Sequence, residues 1–180
     1  MRVCVTGATN PVGEAIVRAL VGAGHSVRAF GVEAGDPRFD DVDVQTFPGW
    51  IDVGGSLEPV LSEREALVHA ACLDTVGKGK EAARKHAIRI HKGTLYARYA
   101  AEREQVDHFV HVTPAAPGKV FGEVQEAAIT EVEMTRGDIH VHVVVHEGDA
   151  VATADDVVAA LASAPMLGTI VGGHDNAVTK

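Results

Sequence analysis

The residues Gly7-Ala8-Thr9-Asn10-Pro11-Val12-Gly13 carry the clearest chemical signal in the chain. They separate a short apolar run at 1–6 from a stretch in which Val12, Ile16, Val17, Leu20 and Val21 recur at helical spacing. Gly7 lets a chain turn sharply as it leaves a strand, and Gly13 lets a helix pack closely on the sheet. Amides at the helix start then point at an anion, normally a pyrophosphate. Other groups are chemically capable but explained more simply. His140 and His142 alternate, so both project to one side of a strand, and with His146 and Glu147 or Asp149 they could ligate a metal. Ordinary strand histidines are the simpler reading, and no metal is expected. Cys72 follows His69 by three residues, a spacing that brings a thiol near a base, but no third group orients the pair. A core cysteine is the simpler reading. His108 and His111 fall on opposite faces of their strand. Asp155-Asp156 reads as a helix start, capping it and complementing its dipole.

The elements that must position these groups alternate in type. Strands are predicted at 1–6, 26–30, 42–47, 66–70, 109–112, 139–145 and 169–171. Helices are predicted at 12–21, 56–61 with Ser56 as N-cap, 78–103, 120–134 and 155–161. Residues 31–41 and 113–118 are rich in loop formers. Alternating strands and helices predict an α/β fold: a Rossmann-like, doubly wound, mostly parallel sheet in three α/β/α layers. The chain has 180 residues, so a single nucleotide-binding domain over 1–180 is expected.

Composition narrows the partners. A formal net charge of -9 argues against a general nucleic-acid or anionic-membrane surface. No apolar run reaches the 18 residues that would suggest a membrane span, and no basic leader precedes the first strand, so a cytoplasmic location is expected. The two cysteines, Cys4 and Cys72, lie in apolar runs and read as buried free thiols.

The opening segment, MRVCVTGATNPVGEAIVRALVGAGHSVRAF, closely resembles that of the short-chain dehydrogenase/reductase superfamily, in its extended epimerase/dehydratase branch. The resemblance continues with decreasing strength through Leu67-Val68-His69-Ala70-Ala71, Gly93-Thr94, Phe109-Val110-His111-Val112-Thr113 and the helix that includes Asp155. It implies NAD or NADP as cofactor, a small-molecule substrate and a homodimer built on the long helix that carries Tyr96 and Tyr99. It implies dinucleotide contacts from Gly7, Thr9, Asn10, Pro11, Val12, Gly13, Trp50, Ile51, Asp52, His69, Ala70 and Ala71. Arg28 or Glu33, flanking the place after the second strand, would set the choice between NADP and NAD, as a basic or an acidic residue does in the family.

The chain also departs from that pattern. The family has a glycine where Asn10 stands and an apolar residue where Pro11 stands. Its aspartate for the adenine matches Trp50, or Asp52 if the loop shifts by two. Its serine falls nearest Ala115, with Thr113 the only hydroxyl close by, and its tyrosine and lysine fall on Phe121 and Gln125. Phenylalanine has no hydroxyl to move a proton, and glutamine cannot lower a neighbour's pKa by charge. Little chain remains to build the C-terminal substrate region of extended members. Three readings follow: a nucleotide-binding protein degenerate in its catalytic residues; an active oxidoreductase or epimerase using other groups; or an interaction module that no longer binds nucleotide.

Overall fold

In the computed structural model, residues 1–71, 79–115, 122–163 and 169–171 are described. The first apolar run forms β1 (Arg2–Thr6) and feeds α1 (Pro11–Gly22). Then come β2 (Ser26–Phe30), a 3-10 turn at Pro37–Phe39, β3 (Val44–Phe47), α2 (Glu58–Leu61) and β4 (Ala66–His69). The long helix α3 (Lys80–Glu104) leads to β5 (His108–Pro114), α4 (Gly122–Glu133), β6 (His140–His146), α5 (Ala150–Ala162) and β7 (Thr169–Val171).

These strands make one seven-stranded sheet in the order β3-β2-β1-β4-β5-β6-β7, and every described pairing is parallel. The alternation of side chains gives the sheet two buried faces. Val3, Val5, Val68, Val110, Val112 and Val144 meet α1 and α5 on one of them. Cys4, Leu67 and Phe109 meet α2, α3 and α4 on the other. The chain runs outward from β1 to β3, returns, and continues outward from β4. The carboxyl ends of β1 and β4 therefore flank the point where strand order reverses, which is where open α/β sheets bind ligands.

Several local expectations are corrected. Ser56 does not cap α2: its hydroxyl donates instead to the carbonyls of Trp50 and Val53, at 2.8 and 2.7 Å, tying the loop that precedes the helix. Asp155 and Asp156 lie inside α5, which starts earlier. Its cap is Asp149, whose carboxylate accepts from Val151 N and Ala152 N. Thr113 is the sixth residue of β5 rather than the start of a turn, because β6 pairs alongside as far as Pro114 and His146. Asn10 needs no left-handed backbone: its φ is -85°, and the positive φ in the turn falls on Gly7, at 73°.

Candidate nucleotide cleft

Backbone crowding fixes the glycines of the first turn. A Cβ added to Gly7 would stand 2.6 Å from Ala70 C and Ala71 N, and one added to Gly13 would stand 2.1 Å from Gly7 O. Side chains cannot enter either place, so β1, α1 and the end of β4 approach one another only with glycine there. Asn10 knits the same turn by its side chain. Its Oδ1 accepts from Gly13 N at 2.8 Å, and its Nδ2 donates to Ala70 O at 3.1 Å. Asn10 is thus the N-cap of α1, with Pro11 at the first helical position.

Above this turn opens a cleft of about 410 Å³, lined by the turn, the ends of β2 and β3, Ala71 and Arg89 of α3. Of the residues expected to hold a dinucleotide, Gly7, Thr9, Asn10, Pro11, Trp50, Ile51 and Ala71 line it. Val12 and Gly13 lie buried behind them in α1, and Ala70 is buried as the acceptor for Asn10. Trp50 is 62% exposed despite its size. The guanidinium of Arg89 sits 5.5 Å over its ring and has Nε 3.9 Å from Asp52 Oδ1. Ile51 packs against Gly93 of α3, where an added Cβ would stand 3.0 Å from Ile51 Cγ2.

The structure separates the two candidates for ribose recognition. Glu33 lines the cleft. Arg28 points away from it, donating to Gln45 Oε1 and to the carbonyls of Val60 and Ser62, and stacking 5.4 Å from the Phe47 ring centroid. Phe30, Gly31, Gly49 and Arg89 also line the cleft. Arg89 was not singled out from sequence. It enters from a helix far along the chain, and no local pattern distinguishes it from the other basic residues around it.

A second polar group lies beneath, on the sheet face covered by α3 and α4. Thr6, His69 and His111 are register partners across β1, β4 and β5. Thr6 Oγ1 is 2.7 Å from His69 Nδ1, and Thr94 Oγ1 is 3.2 Å from His69 Nε2. The His69 and His111 rings stack with centroids 5.5 Å apart. Burial holds His69 well below the usual imidazole range, with the neighbouring His111 adding to the effect. Burial also pushes His111 down to about 4. Both ring nitrogens of His111 lack a hydrogen-bond partner among the described residues. This neutral pair is a structural feature of the interior rather than a reservoir of protons near neutrality.

Of the three residues matched to catalytic positions, Thr113 and Gln125 are brought together: Thr113 Oγ1 donates to Gln125 Oε1 at 3.2 Å, and both are buried. Phe121 and Cys72 lie outside the described residues. The histidines read for a metal divide differently from expectation. His140 and His142 gather around His108, with centroids 5.4 and 5.8 Å from it. His146 instead meets Thr153 at 2.8 Å from its Nδ1. Among the described residues no group of three or more His, Cys, Asp or Glu side chains is arranged to hold a metal ion.

The fold and the glycine turn define a class: a Rossmann-like doubly wound domain with its cleft at the strand-order switch. Solved structures share this fold. The Bordetella bronchiseptica enzyme WbmG, in complex with NAD and UDP, aligns with a TM-score of 0.65 and 17% identity, over 79% of this chain and 52% of its own. A short-chain dehydrogenase/reductase superfamily protein from Agrobacterium tumefaciens with bound NAD gives 0.66 and 18%, over 79% and 48%. DesIV, a dTDP-glucose 4,6-dehydratase from Streptomyces venezuelae, gives 0.66 and 19%, over 81% and 55%. The chain spans about half the length of these proteins. No protein-family profile matches it, and no curated protein is significantly similar. The resemblance read from the opening motif therefore holds in the fold, which these epimerase/dehydratase-like enzymes share.

Proposed function

We infer that this chain binds an NAD-type dinucleotide in the cleft over the glycine turn, and that it is degenerate in the acid–base groups of epimerases and dehydratases. The observation that carries the reading is the close approach of Gly7, Gly13 and Ala70-Ala71, which opens the cleft at the strand-order switch. Structural neighbours that contain NAD support it. Glu33 in the cleft and Arg28 outside it favour NAD over NADP, since a carboxylate suits a ribose diol and repels a 2′-phosphate.

Degeneracy rests on the chemistry of the matched residues. Gln125 carries no charge, and its Oε1 already accepts from Thr113. When bound, the nicotinamide would supply hydride chemistry; at the matched positions the Thr113 hydroxyl meets a neutral amide, with no cation there to lower a neighbour's pKa. A reading without nucleotide finds support in Pro11, which has no amide to offer a phosphate. Calorimetric titration with NAD(H) and NADP(H) separates the two. Micromolar binding, tighter for NAD(H), is expected. Absence of heat at millimolar cofactor would leave the interaction module as the function of this chain.

A further inference from the structure

Three amides at the start of α1, those of Asn10, Gly13 and Glu14, are engaged within the turn and Pro11 has none, whereas groups that would grip a nucleoside are present. Asn10 N donates to Gly7 O at 3.1 Å, and Glu14 N donates to Asn10 O at 2.9 Å. The Asn10 carboxamide takes Gly13 N, and Pro11 contributes no donor. The family pattern has glycine in place of Asn10, so here a side chain occupies the surface that a phosphate would approach. Charge points the same way. Glu33 and Arg89 are the charged side chains among the described lining residues, and they sum to zero. Arg38, beside the turn, is committed to Asp36 at 3.0 Å and to the carbonyl of Thr9 at 2.6 Å. A diphosphate bearing two or more negative charges meets no net positive charge from these side chains, and only the α1 N-terminus favours it.

The nucleoside side of the cleft is better furnished. Trp50 presents an exposed ring to the cleft, on a loop held by the two hydrogen bonds of Ser56. An aromatic face stacks on any base. Arg89 backs that ring, and Glu33 stands at the end of β2, where a ribose diol would lie. Phe30 and Gly31 form an apolar and open floor between them.

We propose that the cleft recognises its ligand through the nucleoside end, so that a nucleoside monophosphate binds about as tightly as a nucleoside diphosphate or a full dinucleotide. This deepens the nucleotide-binding reading and rests on it. It makes the site a reader of nucleosides and their phosphates, with the pyrophosphate adding little.

The chain's one tryptophan is Trp50, so its fluorescence reports ligand in this cleft directly. Adenosine, AMP, ADP and NAD would be titrated against it and by calorimetry. Dissociation constants for AMP, ADP and NAD within about threefold of one another are expected. Trp50→Leu, read by calorimetry, should weaken all of them by about tenfold, the scale of a lost stacking contact. Pro11→Ala restores an amide without touching the Asn10 cap, and should tighten ADP and NAD relative to AMP. The double variant Asn10→Gly/Pro11→Ala should widen that gap, if it folds. ADP and NAD binding more than about thirtyfold tighter than AMP would overturn this proposal and leave the dinucleotide reading intact. Binding with unchanged Trp50 fluorescence and an unaffected Trp50→Leu variant would also overturn it alone. No response to any member of the series would remove both.

Discussion

At the scale of single residues, the buried histidines make the clearest claim about solution behaviour. His111 is fully buried, and its folded pKa of about 4 lies below the ordinary imidazole value of 6.5. A depressed imidazole pKa means that the unfolded chain binds the proton more readily. Its contribution to stability is therefore complete above about pH 6.5, falls as pH drops toward 4, and levels off once both states are protonated. The full difference is about 3 kcal/mol, from 1.36 kcal/mol per pKa unit. His69, depressed for the same reason, adds to the loss. Urea unfolding at pH 7.5 and pH 5 should show lower stability at the acid end, and His111→Phe should flatten that dependence. An unchanged slope in the variant would mean that His111 is not buried in its neutral form. Cys4 illustrates the same physics with opposite sign: burial pushes its thiol up to about 12, so it stays protonated and inert.

At the scale of elements, the turn into α1 and the joint between α3 and α4 carry most of the specification. Gly13→Ala forces a Cβ to within 2.1 Å of a carbonyl oxygen that cannot retreat without moving β1. A loss of more than about 2 kcal/mol is expected from thermal or urea melts. Gly22, in the last turn of the same helix, has open space around it and no positive φ. Gly22→Ala should be neutral or stabilising by up to about 1 kcal/mol. At the other face, Arg98 is buried between helices, with Nε 2.7 Å from Glu131 and Nη1 2.9 Å from Glu102, and its guanidinium lies 4.5 Å from the Tyr99 ring centroid. Arg98→Met would strand Glu131 and leave Glu102 with the Arg136 amide, at a cost of about 3 kcal/mol in the same melts. Replacing Arg98 and both glutamates by apolar residues should recover much of it.

Much of this scale was legible in the chain, and the misses share a cause. Apolar runs, helical spacing and turn formers placed the strands and helices among the described residues, because burial on two faces of a parallel sheet writes itself into the sequence. Ends were read less well, because caps are decided by which side chain reaches the first amides. Asn10 before Pro11 is a cap-and-first-turn signature, yet its match to a family glycine directs attention to backbone geometry instead. Asp155-Asp156 is a more conspicuous acidic pair than Asp149, but only Asp149 lies at the start of α5. In the site, contacts that the family resemblance implies were foreseen, such as Trp50, Ile51 and Ala71. Arg89 was not, since its place depends on how α3 crosses the end of β3. Tyr96 and Tyr99, read together as a face for a second copy, part company. Tyr96 packs on Gly54, while Tyr99 remains exposed beneath Arg98.

At the scale of the whole molecule, the sheet order governs how the cleft comes into being. Its walls arrive from the ends of β1, β2 and β3 and are closed by Ala71 and Arg89, which follow much later. Among the described residues no helix is long and apolar enough to cross a membrane. The interior strand β1 is made before the other described strands, but one of its two neighbours is β4, so Thr6 waits for His69 before that edge is covered. A chain emerging from a ribosome would thus hold a bare, apolar strand edge through the synthesis of some sixty further residues. Parallel pairing offers no hairpin to shelter it, and such non-local closure is slow. The interval before β4 arrives leaves this edge open to chaperones and to aggregation, and the same closure that ends the hazard brings Ala71 to the cleft wall.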